Sequence, residues 1–403
     1  MAGILEGVRV LEVAQWWFVP AAAAALADWG ADVIKIEHPE YGDPMRGLRT
    51  GGGTLGGGPR SFMFEQPNRG KRSIGIDIKT DAGRELVLRL AAESDVFITS
   101  FLPDARRRLG IEVDDLRKMN PRIIYARGHG QGADGPDNEK GGYDAASFWA
   151  RGGIGHALTP SGAAHPTGQR AAFGDSIGAI TLAGGIAAAL FGREHTGEAT
   201  VVDVSLLGTA SWVLAPDTIA ARQLGTSTMP AMSRSVSANP IVNSYKTKDG
   251  RWIMLVMMES DRFWPELCVH LDRPELVIDE RFADAAARAQ NAAECVAILE
   301  EIFESATLAE WRERLANIEG VWSPMQSAGE LHDDPQVIAN NYITYLEDEH
   351  GEQPLVRAPV QFDGERRELS FAPHQGQHTV DVLTELGIDP KEIDGLRDKG
   401  VIN

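Results

Sequence analysis

Cysteine is nearly missing from this chain of 403 residues: Cys268 and Cys295 are the only two, with no CxxC pair and no metal-ligand spacing. A disulfide framework and a cysteine zinc site are excluded, no metal is expected, and a reducing, cytoplasmic setting is the expectation. Long apolar runs are missing too. The alanine run after Pro20 is broken by Asp28 and the small-residue run after Ser176 by its glycines, so neither reaches the roughly 18 apolar residues of a membrane span. No apolar signal segment is expected before the first strand. Positive charge is scarce: 39 Lys and Arg against 58 Asp and Glu leave a net charge of −19. That balance argues against a nucleic-acid partner, and a polyanionic ligand would need basic residues gathered locally. Lys71-Arg72, Lys79 and Arg106-Arg107-Arg108 are such groups.

The glycine-rich nucleotide loops are absent as well. Residues 8–13 and 32–37 (DVIKIE) read as buried strands joined by an alanine-rich helix over 20–29, a βαβ unit. The turn inside it, EVAQWWFVP, has no GxGxxG, which removes a dinucleotide site of that kind. Glycines at 51–53 and 56–58 resemble a phosphate cradle, but no GK[ST] follows, and the stretch reads as a flexible loop.

What is present is an alternation of strand and helix patterns. A strand runs out of 68–77, a helix follows over 80–94, then a strand over 95–99, a helix near 114–119 and a strand over 123–127. The expected fold is α/β: a Rossmann-like, mainly parallel sheet with helices on both faces. At this length two domains are expected. After a helix from Ser205 to about Leu224, the Gly, Ser and Pro content of 225–240 marks a boundary, and the Asp249-Gly250 turn between β-rich runs predicts a hairpin. Helices over 261–318 complete a smaller α+β domain at 225–326. Residues 1–224 and 327–403 then form one discontinuous large domain.

The stretch AAFGDSIGAITLAGGIAAALFGREHTGEATVVDVS, residues 171–205, is the centre of the reading. Asp175 opens a long small-residue helix that His195, Thr196 and Gly197 stop, before a β-branched strand. Unpaired backbone N–H groups and the positive end of the helix dipole favour an ionised carboxylate there, so Asp175 is expected to be ionised at neutral pH. An ionised carboxylate can act as a nucleophile. Backbone N–H groups near the helix start would stabilise an oxyanion. An Asp before a helix is also a common capping residue, the plainer reading.

GDSIGA, GGIAAALFGREHTG and VVDVSL, together with ADVIKIEHPEYGDPMR, NRGKRSIGIDIKT, SDVFITSFLPD, NPRIIYARGHGQGADGP and GGYDAASF, resemble the family III CoA-transferases, the formyl-CoA and carnitine CoA-transferase type. The resemblance implies that Asp175 attacks an acyl thioester. It implies that coenzyme A or acyl-CoA is a substrate rather than a resident cofactor, that a carboxylic acid is the acceptor, and that the fold forms an interlocked homodimer. It maps CoA or substrate contacts onto Trp16, Trp17, His38, Ile76, Lys79, Ser100, Phe101, Arg108 and Leu109, and places Tyr143 and Asp144 near the thioester. His38 stands where the family commonly has Arg, and Ser100 where it has Asn. The C-terminal APHQGQHT also matches the family's pattern, and His374 and His378 are expected to be structural.

Three functions remain in view. CoA transfer through an aspartyl anhydride leads. A 2-methylacyl-CoA racemase of the same fold would need a His/Asp acid–base pair, and Tyr143 stands where racemases place His; a phenol with a pKa near 10 is a poor base at pH 7. A non-catalytic acyl-CoA-binding protein is the third. Trp16-Trp17 is compatible with a bulky apolar acyl chain, or with tryptophans that fill the pocket themselves.

Overall fold

The computed structural model describes residues 3–47, 60–229, 234–364 and 367–403; the glycine-rich stretch at 51–58 lies outside them. Two compact units make up the chain, Met1–Met229 with Asn340–Asn403, and Pro230–Ala339.

The larger unit carries a six-stranded sheet in the order β3-β2-β1-β4-β5-β6, with every pairing parallel. The strands are β1 (Arg9–Val13), β2 (Asp32–Glu37), β3 (Arg72–Gly75), β4 (Val96–Thr99), β5 (Ile124–His129) and β6 (Val201–Ser205). Parallel strands need crossovers, and the first is α1 (Phe18–Asp28). Then α2 (Asp81–Ala92), α3 (Pro103–Leu109) and α4 (Val113–Met119) follow, and α5 (Phe173–Thr196) leads into β6. Side-chain alternation along the strands feeds two cores. Val10, Ile98, Ile124 and Ala126 pack with α1 and α5, while Leu11, Ile34, Phe97 and Tyr125 pack with α2 and α4. Strands buried on both faces explain their near-continuous apolar runs.

By length and composition α5 is apolar enough to cross a membrane, which the sequence reading did not anticipate. Its Gly178, Ala179, Leu182, Ala183 and Ile186 are nevertheless buried against the sheet and α1, as in a core helix. At Gly178 an added Cβ would lie 2.8 Å from the Phe18 ring, so the small residues are what let α5 approach α1.

Several expected boundaries move. β5 extends two residues past 127 to His129. The helix expected to run unbroken from Ser205 is interrupted at Leu214, giving α6 (Leu206–Val213) and α7 (Ala215–Leu224). Residues 225–229 belong to the larger unit and 327–339 to the smaller, the reverse of the sequence reading in both cases. The second shift has a visible cause: Met325 N–H donates to Trp252 O at 2.9 Å, and Arg251 pairs with Glu330 at 2.7 Å, which fixes this segment on its own unit's hairpin.

The smaller unit contains the expected hairpin, β7 (Val242–Lys246) and β8 (Trp252–Val256), with Gly250 at φ 78° in its turn. A third antiparallel strand, β9 (Trp322–Pro324), was not foreseen. Its own core includes Tyr245, Trp264, Phe303 and Trp311. Cys268 and Cys295 lie buried there as thiols, and burial pushes both up to about 12.

Candidate active site

In the strand order β1 is flanked by β2 and β4, so the direction in which strands are added reverses between β1 and β4, where open α/β sheets bind ligands beyond the strands' carboxyl ends. A cavity of ≈ 600 Å³ opens there. Gln15 and Trp16 follow β1, Ser100 and Phe101 follow β4, and His129 ends β5; all line it. Lys79, Arg108, Leu109, Tyr143, Asp144 and Asp175 complete the set that concerns the chemistry. Glycines at 128, 130, 141 and 142 keep the wall thin, and a Cβ on Gly130 would meet the Gly142 backbone at 2.5 Å.

Three residues mapped to CoA contacts do not line this cavity. Ile76 is buried core between β3 and Ile402. The His38 ring stacks on Tyr41 at 4.7 Å, and its Nδ1 accepts from the Glu40 amide at 3.1 Å. Trp17 packs, with Trp16, near Met45, Met63 and Phe64. The basic groups divide as well. Lys71 is fully buried on Glu12, Arg72 pairs with Asp32 and Glu385, and buried Arg106 pairs with Glu112. Lys79 and Arg108 are the basic residues of those groups that line the cavity.

Trp16 stands edge-on to Tyr143, with ring centroids 5.5 Å apart. It holds a left-handed backbone, φ 72°, which costs a non-glycine residue energy and persists only where the surroundings fix it. A buried ionic network does so. Asp43 accepts from the Trp16 amide at 3.3 Å and pairs with Lys35 at 2.8 Å; Lys35 and Lys71 share the two oxygens of Glu12 at 2.7 and 2.5 Å. Burial opposes charge on Lys35, but Asp43 and Glu12 hold it above its ordinary range, whereas burial pushes Lys71 down to about 7.

Asp175 is the third residue of α5, not its cap. The cap position is Ala172, at φ 56°, which has no side chain to offer. Asp144, thirty residues before Gly174, takes that role: both its oxygens accept from the Gly174 amide at 3.1 Å. Two consequences correct the sequence reading. The helix-start N–H of Gly174 is engaged by Asp144, so it is not open to an oxyanion. Asp175 is also not held ionised: burial, and then the Asp144 charge, push it up to about 7. Burial raises Asp144 too. A nucleophile near half ionisation at neutral pH is more basic than an ordinary carboxylate.

Sequence reasoning missed His129. Its Nε2 lies 2.8 Å from Asp203 Oδ1 on β6, and Arg127 grips the same carboxylate at 2.6 and 2.7 Å. Burial alone would raise Asp203, but the hydrogen bonds from His129 and Arg127 hold it well below the usual carboxylate range. The signal was present in the His-Gly-Gln-Gly run that begins at the last residue of a parallel strand, where ligand residues belong.

Among known proteins, the sequence model of CoA-transferase family III matches residues 5–379. The chain is 34% identical to (R)-2-hydroxy-4-methylpentanoate CoA-transferase of Clostridioides difficile, covering 99% of both chains. It is 30% identical to cinnamoyl-CoA:phenyllactate CoA-transferase of Clostridium sporogenes, over 99% of this chain and 97% of that one. The crystal structure of a CAIB/BAIF family protein from Brucella suis superposes with a TM-score of 0.82 at 31% identity, over 96% of this chain and 100% of that one. With fold, cavity and near-complete matches in agreement, the chain belongs to CoA-transferase family III and is a CoA-transferase.

Proposed function

We propose that the protein moves CoA from an acyl-CoA donor to a 2-hydroxy carboxylic acid with an apolar side chain, and that Asp175 is the nucleophile. The observation that carries the mechanism is Asp175 itself: a half-buried carboxylate raised to about 7, in a cavity that also has Lys79 and Arg108 on its wall. The acceptor class rests on the relatives named for 2-hydroxy-4-methylpentanoate and for phenyllactate, both 2-hydroxy acids. Trp16, Phe18 and Leu206 supply apolar wall for such a side chain.

An Asp175 oxygen attacks the thioester carbonyl, the C–S bond breaks, and an aspartyl–acyl anhydride forms with free CoA thiolate. The thiolate attacks the Asp175 carbonyl of the anhydride, which releases the donor's carboxylate and leaves an aspartyl-CoA thioester. The acceptor carboxylate attacks that thioester and expels the thiolate to give a second anhydride. Attack of the thiolate on the acceptor's acyl carbon then yields the new acyl-CoA and restores the Asp175 carboxylate. No proton moves in any step. Lys79 and Arg108 serve the CoA phosphates, whose attraction must overcome a net charge of −19. The same reading includes a cytoplasmic, interlocked homodimer.

The intermediate can be trapped. Enzyme given (R)-2-hydroxy-4-methylpentanoyl-CoA without acceptor is expected to carry a hydroxylamine-sensitive mass increment on the peptide containing Gly174, Asp175 and Ser176, and Asp175→Ala to show neither adduct nor transfer. Transfer by Asp175→Ala at the wild-type rate would refute the assignment.

A further inference from the structure

We infer that His129, held by Asp203 and Arg127, forms a subsite that reads the 2-hydroxyl of the acyl group, with His129 Nδ1 accepting its hydrogen bond. The inference rests on the acceptor class proposed above. Anhydride exchange transfers no proton, so a His–Asp pair in this cavity has none to relay and stands idle in the chemistry. What such a pair does supply is a fixed tautomer. Asp203 is an ionised carboxylate and can only accept, so His129 Nε2 carries the hydrogen at 2.8 Å, and in the neutral ring Nδ1 keeps a lone pair in a set direction. Nδ1 has no hydrogen-bond partner among the described residues, although the side chain is only 6% exposed.

The surroundings single out this nitrogen. Gly128 and Gly130 flank His129, so it contributes the side chain that the end of β5 presents to the cavity. A Cβ on Gly128 would meet Val19 at 2.2 Å, which keeps that position bare. Arg127 makes two bonds to Asp203 and restrains the carboxylate that orients the ring. An acceptor that a bound acyl group covers without pairing is costly, and for that reason a polar site rejects an analogue lacking the matching donor more strongly than an apolar pocket discriminates by size. The subsite therefore favours 2-hydroxyacyl over 2-deoxyacyl groups.

Isotope exchange tests this without knowledge of the natural donor. Each of (R)-2-hydroxy-4-methylpentanoyl-CoA and 4-methylpentanoyl-CoA is incubated with its own 13C-labelled acid, and the kcat/KM of label entry is compared. Wild type is expected to favour the hydroxy pair at least tenfold. His129→Phe should bring the ratio to within about twofold of unity, with the larger loss on the hydroxy pair. His129→Asn, whose Oδ1 can take the place of Nδ1, should keep an intermediate ratio. Asp203→Asn, which frees the tautomer, should also lower it, and these two variants keep the test open if the Phe variant does not fold. A wild-type ratio near unity, an unchanged ratio in His129→Phe, or equal losses on both pairs would overturn the subsite while leaving Asp175 chemistry intact. Exchange of neither pair by wild type would instead overturn the acceptor class, and the subsite with it.

Discussion

Asp144 accepts the Gly174 amide at the start of α5, where Ala172 has nothing to offer, and its charge lies beside the nucleophile. Asn in its place can still accept through one oxygen but carries no charge. Asp144→Asn is therefore expected to move the acid limb of the kcat/KM pH profile downward from near 7, since Asp175 loses the neighbouring charge that raises it; Lys79 and Arg108 on the same cavity wall favour the same direction. An acid limb that stays in place would show that the charge has no such effect. The raised value also bears on stability. Between the ordinary carboxylate range, about 4, and about 7, folded Asp175 binds a proton that the unfolded chain has released, so stability falls as pH rises through that window. Asp175→Asn should consequently be inactive yet more stable at pH 8 by about 1–3 kcal/mol, a gain that vanishes near pH 4. Melting curves at the two pH values check the sign.

At the scale of elements, α5 depends on where its glycines lie. Gly178→Ala would drive a methyl to within 2.8 Å of the Phe18 ring, and Phe18 lines the cavity. A loss of about 1–3 kcal/mol is expected, with a raised KM. Gly184, exposed and with nothing within 4 Å of its added Cβ, is the control: Gly184→Ala should stabilise by about 0.5–1 kcal/mol. Denaturant titrations distinguish the two. The same contrast explains how much could be read from sequence. Strand and helix order was legible because local apolar spacing encodes it, and Asp175 because a motif surrounds it. The Asp144 cap was not, because no spacing rule links residues thirty apart through a left-handed alanine. Adjacent basic residues also misled. Lys71 reaches inward to Glu12 while its neighbour Arg72 reaches Asp32 on a more open edge. Along α3, successive arginines point roughly 100° apart, so Arg106 meets Glu112, Arg107 meets Glu139, and Arg108 alone of the three lines the main cavity.

For the whole molecule, the smaller unit has a core of its own, with Tyr245 stacked on Phe303 at 5.0 Å and Trp311 at 4.9 Å from Phe303. Residues 230–339 expressed alone are expected to melt cooperatively with an aromatic circular-dichroism signal; a featureless, gradual transition would count against an independent core.

The larger unit is closed by a segment far along the chain. The outer edge of β3 is covered by residues 376–403: the His378 amide donates to Ser73 O at 2.8 Å, His378 Nδ1 accepts from the Ser73 amide at 3.2 Å, Thr379 Oγ1 accepts from the Gly75 amide at 3.0 Å, and Ile402 bridges Ile76. An uncovered edge strand is a template for pairing with another chain. During synthesis the ribosome must add about 300 further residues before that cover exists, on the order of 15–60 seconds at ~5–20 residues per second. Throughout that interval the nascent sheet presents a bare edge, while the smaller unit has time to fold first. Newly made chains should therefore depend on holding chaperones for the span between β3 and its cover, and premature termination anywhere in that span should give aggregates rather than truncated enzyme.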